Sequence, residues 1–338
     1  MENEFYYPSR DGKTQIHAME WVPEGEIKGV LQICHGMVEY IKRYRELGEY
    51  LAERGYYVTG HDHLGHGQSV QSEADYGYFD ETKGNQYVIG DIHRLREITM
   101  EKFPDAPYYM LGHSMGSFLL RQYLTLYGKG LAGAIVMGTG YQGTLILSAG
   151  QCICRIIAAF KGWKYRSKFV DRLSFGGYNK RFEPGETSKE WITSDKERCR
   201  KYAEDPLCSF MFTLGAYYQM FEGMKALTRD ESMEHIPKDL PMLFVSGKDD
   251  PVGGFGKGVE KVFAKYKDAG MQKISMHLYE GDRHEILNET DREQVYDDLF
   301  QWMEERSAAI LRCRAPLTEK NKASMGMIRI FFENVMKH

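Results

Sequence analysis

The pentapeptide Gly112-His113-Ser114-Met115-Gly116 constrains this chain more than any other feature. The preceding run, Pro107 to Leu111, reads as a short buried strand. After it, Leu119, Leu120, Tyr123, Leu126 and Tyr127 fall at helical spacing. A serine on a tight turn between strand and helix presents its hydroxyl outward, away from the sheet. Glycines must flank it where strand and helix come too close for side chains. G-x-S-x-G alone is a modest signal, and its strand-turn-helix setting is what gives it weight.

The rest of the chain supplies a matching framework. Val30–Cys34, Tyr56–Gly60, Leu131–Met137, 241–245 and Ile274–Tyr279 read as further strands. Helical patterns fall at 41–54, 85–103, 257–269 and 291–312, with Val88, Ile92, Leu95 and Phe103 on one face of the second. Alternating strands and helices predict an α/β fold with a mostly parallel central sheet covered on both faces. Turn signals near Pro8–Gly12 and Pro23–Gly25 predict an antiparallel hairpin at the sheet edge. Residues 141–235 break the rhythm: they carry no clear strand and many aromatic and Met residues, and read as a helical insertion above the strand ends. The division is therefore a core of 1–140 and 236–312, a helical cap of 141–235, and a C-terminal amphipathic extension of 313–338. In the extension, Ile328, Phe331, Phe332, Val335 and Met336 make a short apolar stripe. Packing on its own chain is the plain reading, with transient membrane-surface contact or a dimer contact as alternatives; the oligomeric state is not legible.

Composition excludes several classes. Net charge is −4 and the isoelectric point is near 6.3, so nucleic acid is not an expected partner. We find no run of about 18 apolar residues and expect no membrane span. The N-terminus has no signal-peptide pattern. The six cysteines show no zinc spacing, and Cys152-Ile153-Cys154 reads as buried free thiols, which together predict a cytoplasmic protein.

A serine hydroxyl needs a base, and the base needs an acid to orient it. On a fold of this kind the chain order is serine, acid, histidine. Of the eleven histidines, His277, His284 and His338 follow the strand at 241–245. His277 lies inside a strand and His338 ends the chain, so His284, just past a strand end, is the expected base. Asp249 and Asp250 follow the preceding strand. Asp250 fits G-x-x-D and is fixed by Pro251, so it is the expected acid, with Asp249 a solvated loop charge. For the oxyanion, the expected donors are the backbone N–H groups of Met115 and of Met37, the latter in the loop His35-Gly36-Met37-Val38-Glu39. His61-Asp62-His63-Leu64-Gly65-His66 invites a metal reading, but no other cluster completes a first shell. It reads as a structural loop, with Asp62 and Ser69 bonded to nearby amides. No metal and no cofactor are expected.

These residues resemble the monoacylglycerol lipase / lysophospholipase branch of the α/β-hydrolases, often labelled serine aminopeptidase-like. The matching runs are His35–Tyr40 with Arg43-Tyr44, Gly60–Ser69, Leu111–Gly116, Ser246–Gly253, Gly256–Val259 and Leu278–Glu289, in family order across most of 25–306. Ser117 stands where the family often has a second glycine. The resemblance implies an α/β-hydrolase fold, a cap over the site and an apolar ester substrate. The cap residues Trp163, Phe175, Trp191, Phe210, Met211, Phe212, Tyr217 and Phe221 then either line an acyl tunnel or form a small core of the cap. A proline-type aminopeptidase is the alternative and would need Glu183, Glu186, Glu190 or Asp195 to hold a free amine. A non-catalytic binding protein on the same scaffold is the other alternative.

Overall fold

Side chains alternate across a strand, so a sheet whose central strands are mostly apolar on both faces must be covered twice. The computed structural model describes residues 1–314 and meets this demand with one eight-stranded sheet. Its strands are β1 (Glu2–Pro8), β2 (Gln15–Trp21), β3 (Gly29–Cys34), β4 (Tyr56–His61), β5 (Tyr108–His113), β6 (Gly133–Met137), β7 (Met242–Gly247) and β8 (Ile274–Tyr279). They lie in the order β1-β2-β4-β3-β5-β6-β7-β8. β2 pairs antiparallel with β1 and β4, and every pairing from β4 to β8 is parallel. The edge hairpin expected from the turn signals is thus present.

Helices α1 (Arg45–Ala52), α2 (Gly84–Lys102), α3 (Met115–Tyr127), α8 (Lys257–Asp268) and α9 (Arg292–Arg314) cover the sheet. Val30, Tyr108 and Met110 share a cluster with α2, α3 and α8. Their neighbours Leu31, Tyr109 and Leu111 share the opposite cluster with α1 and α9. At the edge strand β8 the pattern loosens, and Ser275 and His277 are exposed.

Between β6 and β7 the chain is helical, with α4 (Thr144–Lys161), α5 (Lys168–Phe175), α6 (Lys196–Glu204) and α7 (Leu214–Ala226). Phe212 and Tyr217 do not form a core of their own there. They join the cluster that holds Val88 and Leu119, so the helical segment shares the core of the body. Among the described residues, Ile192, Tyr202 and Cys208 make a separate small cluster. One sequence expectation is qualified and one is corrected. Helix α4 is long and apolar enough to cross a membrane by length and composition alone, with mean hydropathy 1.4 over 18 residues and 22% of it buried, although Gln151 and Arg155 interrupt the apolar run. Cys152 is exposed on that helix, whereas Cys34, Cys154, Cys199 and Cys208 are buried, and all five are free thiols. The apolar stripe at 328–336 lies outside the described residues.

The edge hairpin is fastened to α2 through Asp91, which is fully buried. Its carboxylate accepts from Ser9 Oγ at 2.7 Å and Arg10 N at 2.6 Å. Burial raises its pKa to about 7, against the lowering effect of those two hydrogen bonds. A carboxyl with a raised folded pKa holds its proton more tightly when folded. Its contribution to stability is full below the ordinary 3.8 and is lost as pH rises to about 7. Asp91→Asn is expected to flatten that fall in unfolding free energy, measured by urea titration across the interval. An unchanged slope would contradict the assignment.

Candidate active site

Ser114 joins β5 to α3 with φ 52° and ψ −119°, a strained conformation for a residue with a side chain. The turn is tight because α3 starts against the end of β3. A Cβ on Gly116 would lie 2.0 Å from the Cys34 carbonyl oxygen and 2.5 Å from that of His35. Only glycine fits there. Gly36 is also crowded, though by side chains: a Cβ on it would sit 3.1 Å from Ser114 Cβ and 2.5 Å from Glu39 Oε1. The loop after β3 is thereby pressed against the serine. It carries Met37, and like Met115 this residue lines the same cavity as Ser114 and His284. Among the described residues neither the Met37 nor the Met115 N–H has a backbone acceptor.

His284 follows β8 and lies in the loop 280–285. Its Nδ1 is 3.0 Å from Asp250 Oδ2. Asp250 follows β7 and is fully buried. Its carboxylate is fixed further by Ser246 Oγ at 3.0 Å and the Val252 amide at 2.8 Å. Asp249 instead points outward, 4.0 Å from Arg181. Ser117 donates to the Ser114 carbonyl at 2.6 Å, so this departure from a second glycine is accommodated without touching the hydroxyl at 114.

Around these groups lies a buried ionic cluster that sequence reasoning did not assign. Arg43 donates to Glu39 Oε2 at 2.7 Å and to both carboxylate oxygens of Glu285 at 2.8 and 2.6 Å. Glu39 Oε1 also accepts from Tyr44 OH at 2.9 Å, from the Gly36 amide, and meets His113 Nδ1 at 3.0 Å. His113 Nε2 lies 3.2 Å from the His284 carbonyl oxygen. Burial opposes charge on both partners. The His113 contact nevertheless holds Glu39 below the usual carboxylate range, and Glu39 in turn raises His113. The i,i+4 acid–base spacing of Glu39 and Arg43 was the available sequence signal.

The cavity has a volume of about 920 Å³. Of the eight cap residues named from sequence, Phe175, Trp191, Phe210 and Phe221 line it, and Trp163, Met211, Phe212 and Tyr217 do not. Of the four cap carboxylates named from sequence, Glu183 alone lines it, and Asp171 of α5, not named there, lines it as well. Glu190 is held by the Thr187 amide and Asn179, which bring it down to about 2 despite burial. Asp195 caps α6, and Glu186 is exposed. The histidine-rich loop is internally bonded. His63 N donates to His35 Nε2 at 2.8 Å, and His17 Nδ1 is 2.8 Å from Asp62 Oδ2. Asp62 also accepts from the Ile41 and Gln68 amides, and Ser69 Oγ from the His17 amide. Burial lowers His61 and His66 to about 3, which keeps both neutral.

A mostly parallel sheet with a strained serine at the β5–α3 turn and an Asp–His pair beyond later strands defines an α/β-hydrolase. The chain belongs to the family described as serine aminopeptidase, S33, whose model matches residues 25–291. Monoglyceride lipase of Saccharomyces cerevisiae is 27% identical over 324 residues, covering 90% of this chain and 94% of that protein. Monoglyceride lipase of Homo sapiens is 25% identical over 301 residues, covering 85% and 86%. A thermostable carboxyl esterase from Bacillus coagulans, solved with glycerol, has a TM-score of 0.84 at 29% identity over 90% of this chain and 99% of that one. A soluble variant of the yeast monoglyceride lipase, in complex with a substrate analogue, shares the fold with a TM-score of 0.72 at 23% identity, covering 89% and 94%.

Removing one member of a buried ion pair leaves its partners' charges uncompensated, at a cost of about 3–5 kcal/mol. Arg43→Met would leave Glu39 and Glu285 in that state, and urea unfolding at neutral pH is expected to show a loss of that order. Glu39 contributes stability above its ordinary 4.5 and loses it as pH falls, so the difference should narrow in acid. A loss under about 1 kcal/mol, the range of an exposed pair, would show the cluster to be inert.

Proposed function

We propose that this protein hydrolyses carboxylic esters of lipid-like substrates, such as monoacylglycerols or lysophospholipids, through an acyl-enzyme on Ser114. The observation that carries the reading is the 3.0 Å bond between His284 Nδ1 and Asp250, made by a histidine that shares a largely apolar cavity with Ser114. With Nδ1–H donated to Asp250, Nε2 is free to take the serine proton. Ser114 Oγ attacks the ester carbonyl, and the amides of Met37 and Met115 bind the developing oxyanion. His284 then protonates the leaving alcohol. In the second half-reaction it draws a proton from water, which releases the acid and restores the serine. Losing one oxyanion donor typically costs ~10²–10³ in rate.

The lipid-like substrate class also fits the outer surface of the cap. Leu145 and Phe160 on α4 are 87% and 84% exposed, with Ile156 beside them and Phe169 and Leu173 of α5 also exposed. Ile146 and Leu173 belong to both this patch and the cavity lining, so the patch runs to the mouth. Lys161, Lys164, Lys168 and Arg172 are exposed along the same segment. An apolar patch with a basic border fits the surface of an anionic bilayer, from which an ester substrate would enter. The five cysteines whose side chains are described are free thiols, four of them buried, which fits a reducing compartment such as the cytoplasm.

Aminopeptidase action, the alternative, needs carboxylates facing the cavity and free to hold an amine; of the cap acids Glu183 and Asp171 line it, and Asp171 already accepts from Tyr217 OH at 2.8 Å. Turnover of a monoacylglycerol well above that of a proline arylamide supports the esterase reading, and the reverse order overturns it. Fluorophosphonate is expected to label Ser114 in the native chain and not in Ser114→Ala. No labelling of folded protein would favour a non-catalytic binder. Ser114→Ala and His284→Ala should each lower turnover by roughly 10⁴–10⁶. For the surface, the triple change Leu145→Ser, Phe160→Ser and Phe169→Ser should weaken sedimentation with phosphatidylglycerol vesicles tenfold or more, with short-chain nitrophenyl ester turnover unchanged. Equal vesicle binding would refute that surface.

A further inference from the structure

The loop that carries His284 is clamped by a strap from the helical segment, residues 190–194. The two are joined along the backbone. Glu285 N donates to the Ile192 carbonyl at 2.7 Å, and His284 N to the Trp191 carbonyl at 3.4 Å. Side chains close the clamp from both directions. Arg283 donates to the carbonyls of Glu190 and Thr193, and its guanidinium lies 4.2 Å from the Phe182 ring. The fully buried Glu289 accepts from the Ser194 amide, from Ser194 Oγ and from the Arg283 amide. Thr193 Oγ1 donates to the Asn288 carbonyl at 3.0 Å. The Trp191 ring lies 5.2 Å from the His284 ring, on a cavity wall to which both contribute.

Much of the hydrogen bonding on the loop side thus ends on the segment that walls the cavity rather than on the sheet. Asp250 fixes one edge of the imidazole. It does not fix the height or tilt of the loop; these are set jointly by the Arg43–Glu285 pair, by the His113 contact to the His284 carbonyl and by the strap, which holds Arg283 through Glu289 from the cavity side. We propose that the strap, locked by Arg283 and Glu289, acts beside the Arg43 cluster to position His284 against Ser114. Arg283 is then a positioning residue for the reaction. It acts through the backbone of its neighbour and does not line the cavity. The strap also couples the two parts of the site: whatever presses on Trp191 or Ile192 from within the cavity is felt at the backbone of the histidine. This inference rests on the reading of His284 as the base.

The test is Arg283→Ala, with kcat and KM for a short and a long nitrophenyl ester, each rate divided by the sites titrated with fluorophosphonate. Misplacing a catalytic group by about 1 Å can cost ~10²-fold. The expected result is a fall in kcat per titrated site of about 10- to 100-fold, with KM changed little and equally for both chain lengths. Arg283→Lys, which keeps one donor, should recover part of it. A purely structural role would lower the melting temperature and the number of titratable sites, but not turnover per site. A kcat per site within twofold of wild type overturns the proposal. Should Arg283→Ala not fold, Ser194→Ala removes one bond to Glu289 and keeps the backbone pairing. It should lower kcat per site about threefold, and no change would overturn the proposal equally. His284→Ala run alongside separates the two readings: if it retains turnover, the base assignment itself fails.

Discussion

A single guanidinium, that of Arg43, stands between two carboxylates in the interior, and the arrangement of the site depends on it. Glu39 belongs to the loop after β3 and Glu285 to the loop after β8, and nothing in the sheet brings those loops into register. Arg43 bonds to both. Glu39 passes the constraint to the Gly36 amide and to His113, and His113 passes it to the His284 carbonyl. The loop beside the serine, the residue before the serine and the loop of the histidine are therefore parts of one charged cluster. Replacing buried ion pairs by apolar groups often leaves stability unharmed. The value of this cluster lies in fixing three loops relative to one another.

The second constraint is steric. Where α3 begins, its backbone passes so close to the end of β3 that Gly116 admits no side chain. This closeness forces Ser114 into its strained turn and sets it beside the Met37 loop. Sheet and strap then contribute differently. The strand ends of β5, β7 and β8 fix where Ser114, Asp250 and the histidine loop start, and the helical segment fixes how that loop is held. The cavity wall and the holder of the histidine are the same stretch of chain.

Much of the framework was legible in sequence because it rests on local rules. The short apolar run Val30-Leu31-Gln32-Ile33-Cys34 and the helical spacing of Val88, Ile92 and Leu95 announce their elements wherever they occur. The G-x-S-x-G turn and the G-x-x-D spacing announce theirs through backbone geometry. Asp250 was separable from Asp249 because proline fixes one and not the other. What sequence did not yield depends on contacts between distant segments. The pairing of Arg43 with Glu285 spans 242 positions, and no pattern marks the carbonyls of Trp191 and Ile192 as partners for the loop at 284. Nor did spacing tell Phe175 and Phe221, which line the cavity, from Phe212 and Tyr217, which sink into the shared core. Residues 141–235 read as helical, but the average apolarity of α4 had no clear signature because Gln151 and Arg155 interrupt it.

The central claim is that Ser114, His284 and Asp250 act as one nucleophilic unit on an ester carbonyl. Rapid acid quenching during turnover of a medium-chain nitrophenyl ester, followed by peptide mass mapping, tests it most directly. The account predicts an acyl mass on the peptide bearing Ser114 that builds within the first turnover, and no such mass in His284→Ala. Steady ester turnover with the acyl group on another residue, or unimpaired acylation of Ser114 in His284→Ala, would contradict it.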